Sequence, residues 1–151
     1  MSFTLGRHSK NELVGVHPDL VVVVNRAIEV TLVDFTVYDG LRTEAEQREY
    51  VRTGASRTLH SRHLKQKDGF GHAVDLVPWV NGKLRWEMPL CIAIARAMAK
   101  ASDEKGVTLI WGGGWSRLGD DDPSHMVEAY AERKRQIGEP AFYDGPHFQL
   151  A

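Results

Sequence analysis

The sequence predicts a single α+β domain, and three observations lead to that class. The chain has 151 residues, which fits one domain with a sizeable core. Apolar residues make up 42% and charged residues 26%, an ordinary globular composition, and there are neither internal repeats nor a second compositional regime. Helical and strand patterns are mixed without regular βαβ alternation, which favours an α+β fold.

The composition also excludes several kinds of protein. A formal net charge of -1 gives no electrostatic reason to expect binding to nucleic acid or to an anionic membrane. Cys91 is the only cysteine, which excludes an internal disulfide and a cysteine-rich structural zinc site. No apolar stretch is long enough for a signal peptide or a membrane span, so we expect synthesis in the cytoplasm and no membrane insertion.

The N-terminal third is interpreted as an arm followed by a helix. Residues 1–16 form the arm, with turn signals at Gly6 and Gly15. The apolar segment 20–30 admits two interpretations, because its run of valines favours a strand whereas the spacing of its apolar residues favours a helix. Since Pro18 suits a first helical turn, we predict the helix.

A strand and a capped helix are predicted next. Residues 33–40 alternate and then end in Asp-Gly, which indicates a strand leading into a turn. Thr43 and Glu46 have the spacing of a capping box, which predicts a helix from Glu44 to about Arg52 that stops at Gly54.

The middle of the chain contains its most unusual residue. Residues 54–72 show no periodicity and are interpreted as a long loop, which in a compact domain is usually functional or mobile. The short apolar run from His72 to Pro78 predicts a strand with Asp75 in its middle. A buried, unpaired carboxylate is costly, so Asp75 needs a strong partner.

The C-terminal half alternates between helices and short strands. A turn is predicted at Asn81-Gly82 and a helix at Met88–Lys105. A buried strand at 107–111 and a charged helix at 124–137 follow. The chain then turns through Gly-Pro into an alternating strand at 147–150.

The candidate chemistry lies in three separate blocks of sequence. His63 lies in the long loop, Asp75 in the predicted strand, and His147 after the Gly-Pro turn. Two histidines and one carboxylate suit a catalytic zinc with an open fourth position. Asp144 precedes His147 by three residues, so the turn can place it beside that opening as a general base.

Simpler interpretations exist for each of these residues. Asp75 can instead form a buried ion pair with an arginine such as Arg42. His60 and His72 compete with His63 as the loop ligand, and a histidine at the position of His147 is often merely exposed.

Taken together, the blocks resemble a known family. Ser61-x-His63, Gly71-x-Ala73-x-Asp75 and Asp144-x-Pro146-His147-Phe148 look like the zinc-binding pattern of the D-alanyl-D-alanine peptidase-like enzymes, and the segments around Arg42 and Trp111 also resemble it. The chain is most similar to the branch of phage endolysins and bacterial wall enzymes that cleave between L-alanine and D-glutamate of the peptidoglycan stem peptide.

This resemblance implies a fold and a set of site residues. The fold is a small, mostly antiparallel sheet packed against helices, of the D-Ala-D-Ala peptidase/hedgehog type. The implied zinc ligands are His63, Asp75 and His147, the implied catalytic residues are Asp144 and Arg42, and the implied substrate-binding residues are Gln47 and Trp115. Segments near 65–70 and 119–141 look like insertions relative to the family.

The resulting hypothesis is a zinc-dependent endolysin built as one domain, residues 1–151, and acting as a monomer on the L-Ala–D-Glu bond. We expect such an enzyme to remain in the host bacterial cytoplasm until its release and then to act on the cell wall. One alternative is a D-Ala-D-Ala carboxypeptidase or dipeptidase, whose Glu-x-x-His pattern is replaced here by Asp-Gly-Pro-His. The other alternative is a wall-binding module that contains zinc but has no turnover.

Overall fold

The computed structural model describes residues 2–151. Its helices are α1 (Arg7–Glu12), α2 (Pro18–Val30), α3 (Glu44–Thr53), α4 (Met88–Lys105) and α5 (Pro123–Ile137). Its strands are β1 (Phe35–Asp39), β2 (Ala73–Val80), β3 (Lys83–Leu84), β4 (Leu109–Trp111), β5 (Ser116–Arg117) and β6 (His147–Leu150).

The strands form one sheet in the order β1-β2-β6-β4-β5, with β3 paired to β2 as a hairpin. The neighbouring strands pair antiparallel throughout. Strand β6 lies in the middle and joins the β1–β2 half to the β4–β5 half. The predicted α+β class with a small antiparallel sheet is therefore confirmed.

The core lies between one face of the sheet and the packed pair α2 and α4. Leu20, Val23, Val24, Ala27 and Ile28 of α2 are buried, as the helical spacing requires. The helix prediction for 20–30 is confirmed, because burying one apolar stripe outweighs the weak strand preference of valine. The sheet contributes large buried side chains such as Trp111 and Phe148.

The predicted helix boundaries rest on local signals that the structure reproduces. The hydroxyl of Thr43 accepts from the Glu46 amide at 3.1 Å, and the Glu46 carboxylate accepts from the Thr43 amide at 3.0 Å. Gly54 ends α3 with φ 83°, a left-handed conformation that glycine adopts without steric cost. The helices predicted at 88–105 and 124–137 are also present.

The N-terminal arm prediction is wrong for the described residues 2–16. These residues contain α1 and bury Leu5, Leu13 and Val16. Ser9 of α1 accepts a hydrogen bond from the Val37 amide at 2.9 Å, so α1 covers the outer edge of β1. A six-residue helix is too short to show a helical period in the sequence.

The segment predicted to be a long loop is a loop in the structure. The segment 54–72 contains no helix or strand beyond the end of α3, as predicted for a loop, and carries only isolated bridges.

No helix in the described part of the chain has the length and hydropathy to cross a membrane.

Candidate active site

Three side chains from distant parts of the sequence converge beneath an open cleft. The ligating atoms of His63, Asp75 and His147 all lie within 4.8 Å of one another, and all three residues are buried. Asp75 of β2 and His147 of β6 are direct register partners, so the sheet itself brings them together. His63 Nε2 lies 3.2 Å and His147 Nδ1 lies 3.5 Å from the same oxygen, Asp75 Oδ1.

The outer contacts of the two histidines fix which nitrogen carries the proton. His63 Nδ1 lies 2.8 Å from the carbonyl oxygen of Gly40, and His147 Nε2 lies 2.8 Å from the amide oxygen of Gln149. Both oxygens only accept, so each of these nitrogens donates. In the neutral imidazoles, the opposite nitrogens therefore present lone pairs toward Asp75.

That arrangement favours a positive charge between the three residues. The carboxylate of Asp75 repels two nitrogen lone pairs that face it, unless a proton or a cation lies between them. Burial alone would lower the pKa of His147, but the contacts with Asp75 and the charge of Asp144 outweigh burial and raise it. The donor set and its spacing thus fit a metal ion, with partners on the far side of each imidazole that orient it.

The competing histidines lie outside this group. His60 is exposed, whereas His72 is bonded to Asp68 at 2.7 Å and to Arg62 at 3.3 Å. Among the three histidines weighed for the loop position, His63 is the one whose nitrogen meets Asp75 and His147.

The second oxygen of Asp75 realises the alternative that the sequence had left open. Arg42 Nη2 donates to Asp75 Oδ2 at 2.8 Å, and Arg42 Nε donates to Asp39 Oδ2 at 2.5 Å. Burial alone would raise the pKa of Asp75, but His63 and His147 hold it well below its ordinary value. One carboxylate therefore forms the ion pair with one oxygen and faces the histidines with the other.

Gln47 lies behind Arg42 and outside the cleft wall. It is 1% exposed, its carbonyl accepts from Arg42 Nη1 at 2.9 Å, and its amide donates to Ser56 Oγ and the Thr58 carbonyl. A contact between Gln47 and substrate, as predicted, would require the side chain to leave all three partners. In this structure its contacts position Arg42.

We expect Gln47→Met to destabilise the protein by about 1–3 kcal/mol, because Arg42, Ser56 and Thr58 would each lose a buried partner. Urea denaturation followed by circular dichroism measures the change. The matched control is Gln136→Met on the exposed surface of α5, which should change stability by less than about 0.5 kcal/mol. Equal effects of the two substitutions would contradict the positioning role.

The cleft above the three residues has a volume of about 470 Å³, and Asp144, Arg42 and Trp115 lie in its wall. Asp144 is held by its backbone, whose amide donates to the Gly112 carbonyl at 2.9 Å and whose carbonyl accepts from the His147 amide at 3.0 Å. Burial, together with the negative charge of Asp75, raises the pKa of the Asp144 carboxyl.

Trp115 closes one side of the cleft. Its ring centroid lies 5.4 Å from that of His147, and its indole N–H donates to the Phe142 carbonyl at 2.8 Å. Trp115 has φ 47°, an uncommon backbone conformation for a bulky residue. The ring is thus held in place as a fixed wall beside His147.

Gly112 allows the β4 turn to approach Asp144 and His147. A Cβ at this position would lie 2.3 Å from the Asp144 carbonyl oxygen and 3.0 Å from the Cβ atoms of both Asp144 and His147. Since real Cβ atoms do not approach backbone oxygen so closely, any side chain here must displace the segment that carries both residues.

We expect Gly112→Ala to lower both stability and activity, with a loss of about 1–3 kcal/mol in the free energy of unfolding. Thermal unfolding of the variant measures this change. The control is Gly6→Ala, because Gly6 has φ -79° and no heavy atom lies within 4 Å of its added Cβ. A Gly112→Ala protein as stable as the Gly6→Ala protein would contradict the steric argument.

Sequence reasoning missed the residues that hold the site together. The sequence indicates a turn at Asp39-Gly40, and the structure adds that Asp39 contacts Arg42 and that the Gly40 carbonyl contacts His63. Gln149 belongs to the alternating strand predicted at 147–150, and the structure adds that its amide oxygen orients His147. A polar residue two positions after a ligand histidine in a strand is on the same face, and that signal could have identified Gln149.

A small α+β domain and a buried His-Asp-His group under an open cleft are the features that the sequence predicts for a peptidase. The whole chain, residues 1–151, matches the family described as phage L-alanyl-D-glutamate peptidase. The protein belongs to that family.

Two relatives support the assignment. The L-alanyl-D-glutamate peptidase of Escherichia phage T5 is 33% identical over 151 residues, which cover 99% of each chain. The crystal structure of the L-Ala D-Glu endopeptidase ChiX of Serratia marcescens matches with a TM-score of 0.71 and 39% identity, covering 96% of this chain and 87% of that one. The predicted family resemblance is therefore confirmed.

Proposed function

We propose that the protein is a zinc-dependent endopeptidase that hydrolyses the L-Ala–D-Glu bond of the peptidoglycan stem peptide. One observation carries the proposal. In a member of this peptidase family, His63, Asp75 and His147 meet under a cleft that also contains the carboxylate of Asp144.

The identity of the metal as zinc is supported by the donor set. Zinc bonds to nitrogen and oxygen of about 2.0–2.1 Å place tetrahedral ligand atoms about 3.4 Å apart. The separations of 3.2 and 3.5 Å from Asp75 Oδ1 match that spacing. Zinc held by His63 Nε2, Asp75 Oδ1 and His147 Nδ1 would polarise the scissile carbonyl and make a water acidic enough to attack near neutral pH.

Asp144 is proposed as the general base. Its carboxylate takes a proton from the attacking water and returns that proton to the leaving amine of D-Glu. Its backbone bonds to Gly112 and His147 keep it on the cleft wall during both steps.

Arg42 and Trp115 are proposed to assist the reaction. Three of the five N–H groups of Arg42 are used by Asp39, Gln47 and Asp75. The remaining two can donate to the scissile carbonyl oxygen as negative charge develops there. Trp115 bounds the substrate on the side of His147.

Purified muropeptides provide the decisive test. Incubation with the protein should release the glycan-linked L-Ala on one side and a peptide with a new D-Glu amino terminus on the other, identified by mass spectrometry. Free D-alanine as the sole product would contradict the proposal and favour the carboxypeptidase alternative.

We also propose that the chain acts as one catalytic domain and as a monomer, and that segments 65–70 and 119–141 are insertions flanking the cleft. The second insertion contains α5, whose Tyr130 hydroxyl accepts from the Phe142 amide at 3.0 Å.

Membership of a phage family supports action on the host cell wall after release from the cytoplasm. Light scattering after size exclusion tests the monomer.

A further inference from the structure

A second cavity adjoins the catalytic cleft and shares one aromatic side chain with it. This groove has a volume of about 530 Å³ and lies between α1, β1 and the β2–β3 hairpin. Tyr38 of β1 lines both the groove and the catalytic cleft. The two cavities therefore lie next to each other, and a path from one to the other passes Tyr38.

Three exposed aromatic side chains follow this path. Tyr38 is 42% exposed, Trp79 is 42% exposed and Trp86 is 54% exposed. Trp86 lines the cleft, Trp79 lines the groove, and the rings of Tyr38 and Trp86 meet edge to face with centroids 5.4 Å apart. Large aromatic rings held at a surface next to an active site indicate a binding surface.

The groove also offers polar groups around the aromatic rings. Arg7 and His8 of α1 and Asp34 before β1 lie in its wall. Asp34 uses one carboxylate oxygen to accept from the Phe35 amide at 2.8 Å. Within residues 2–151, the side chains of Arg7 and His8 make no hydrogen bond. An aromatic surface with donors and acceptors at its rim matches a sugar, which has an apolar face of C–H groups and a rim of hydroxyls.

The proposed function specifies where such a sugar would be. The amino group of the stem-peptide L-Ala is joined to the lactyl group of N-acetylmuramic acid, so a sugar lies one residue before the scissile bond. Two residue lengths of extended chain span about 7 Å, which brings the sugar to the edge of the catalytic cleft. A binding surface for it must adjoin that cleft, as the groove does at Tyr38.

We infer that Tyr38, Trp79 and Trp86 bind the amino-sugar strand that is attached to the stem peptide being cleaved. This inference rests on the proposed function and adds a glycan subsite to it. The peptide occupies the cleft, and its sugar lies over Tyr38 and Trp86 and continues toward Trp79. The enzyme thus recognises peptide and glycan through one surface.

Two matched substrates test the inference, namely the disaccharide tripeptide and the same L-Ala–D-Glu-containing tripeptide without its sugars. For the wild-type holoenzyme we expect kcat/KM to be higher on the sugar-bearing substrate by about tenfold, mainly through a lower KM. Trp79→Ala should reduce this ratio toward one, and Trp79→Phe should restore most of it. Ile137→Ala, an exposed apolar side chain on α5 outside both cavities, should keep the wild-type ratio.

The outcomes separate this inference from the proposed function. Cleavage of both substrates at equal kcat/KM by the wild type, or an unchanged ratio in Trp79→Ala, would overturn the glycan subsite alone. Cleavage of neither substrate would overturn the proposed function. If Trp79→Ala fails to fold by circular dichroism, Tyr38→Ala provides an independent variant because Tyr38 lines both cavities.

Discussion

Replacement of Asp144 by asparagine should lower kcat on muropeptides by about 10²–10⁴-fold, because an amide cannot take a proton from water. The substitution keeps the size of the side chain and leaves the backbone bonds to Gly112 and His147 intact. Metal content, measured by mass spectrometry of the purified protein, should therefore equal that of the wild type. Loss of rate with retained metal separates the base from the ligands.

The matched control for this variant is Asp120→Asn, an exposed aspartate outside the cleft, which should keep wild-type activity. An Asp144→Asn protein with wild-type turnover would remove the base assignment. If neither the wild type nor the variant cleaved muropeptides but both bound wall material, the module without turnover would be favoured.

His147→Ala should reduce both bound metal and activity to near background. The variant keeps Asp75 and His63, but two ligands bind divalent zinc far more weakly than three. Metal stoichiometry and muropeptide cleavage are measured together, and chelation followed by zinc addition should restore activity to the wild type only. Such restoration by zinc also tests the identity of the metal.

The control for the ligand prediction is His125→Ala, an exposed histidine on α5 that pairs with Asp121. It should retain both metal and turnover. A His147→Ala protein with full metal stoichiometry would exclude His147 as a ligand, whatever its activity.

Local signals made much of the fold predictable. The capping box at Thr43 and the glycines that end α3, α4 and α5 depend on neighbouring residues, so the sequence alone places these boundaries. Helix α1 was missed because its stability comes from long-range contacts, such as that of Ser9 with β1, rather than from its own periodicity.

The sequence predicts the residue types of the candidate site but not the strand register and side-chain contacts that bring them together. The three blocks of sequence point to His63, Asp75 and His147, which the structure brings together. The register that pairs Asp75 with His147 depends on how β2 meets β6 across more than 70 residues of sequence, and no local pattern specifies it. The position of Gln47 behind Arg42 depends on how residues 56–58 fold over α3, because Ser56 and Thr58 accept hydrogen bonds from its amide.

The central place of β6 also determines when during translation the enzyme can become active. A nascent chain that ends before residue 147 lacks one candidate ligand and the strand that joins the two halves of the sheet. Insertion of this strand pairs it with segments made long before it, a non-local and therefore slow step. The proposed metal site is thus complete only after residues 147–150 have left the ribosome, and we expect incomplete translation products to be inactive.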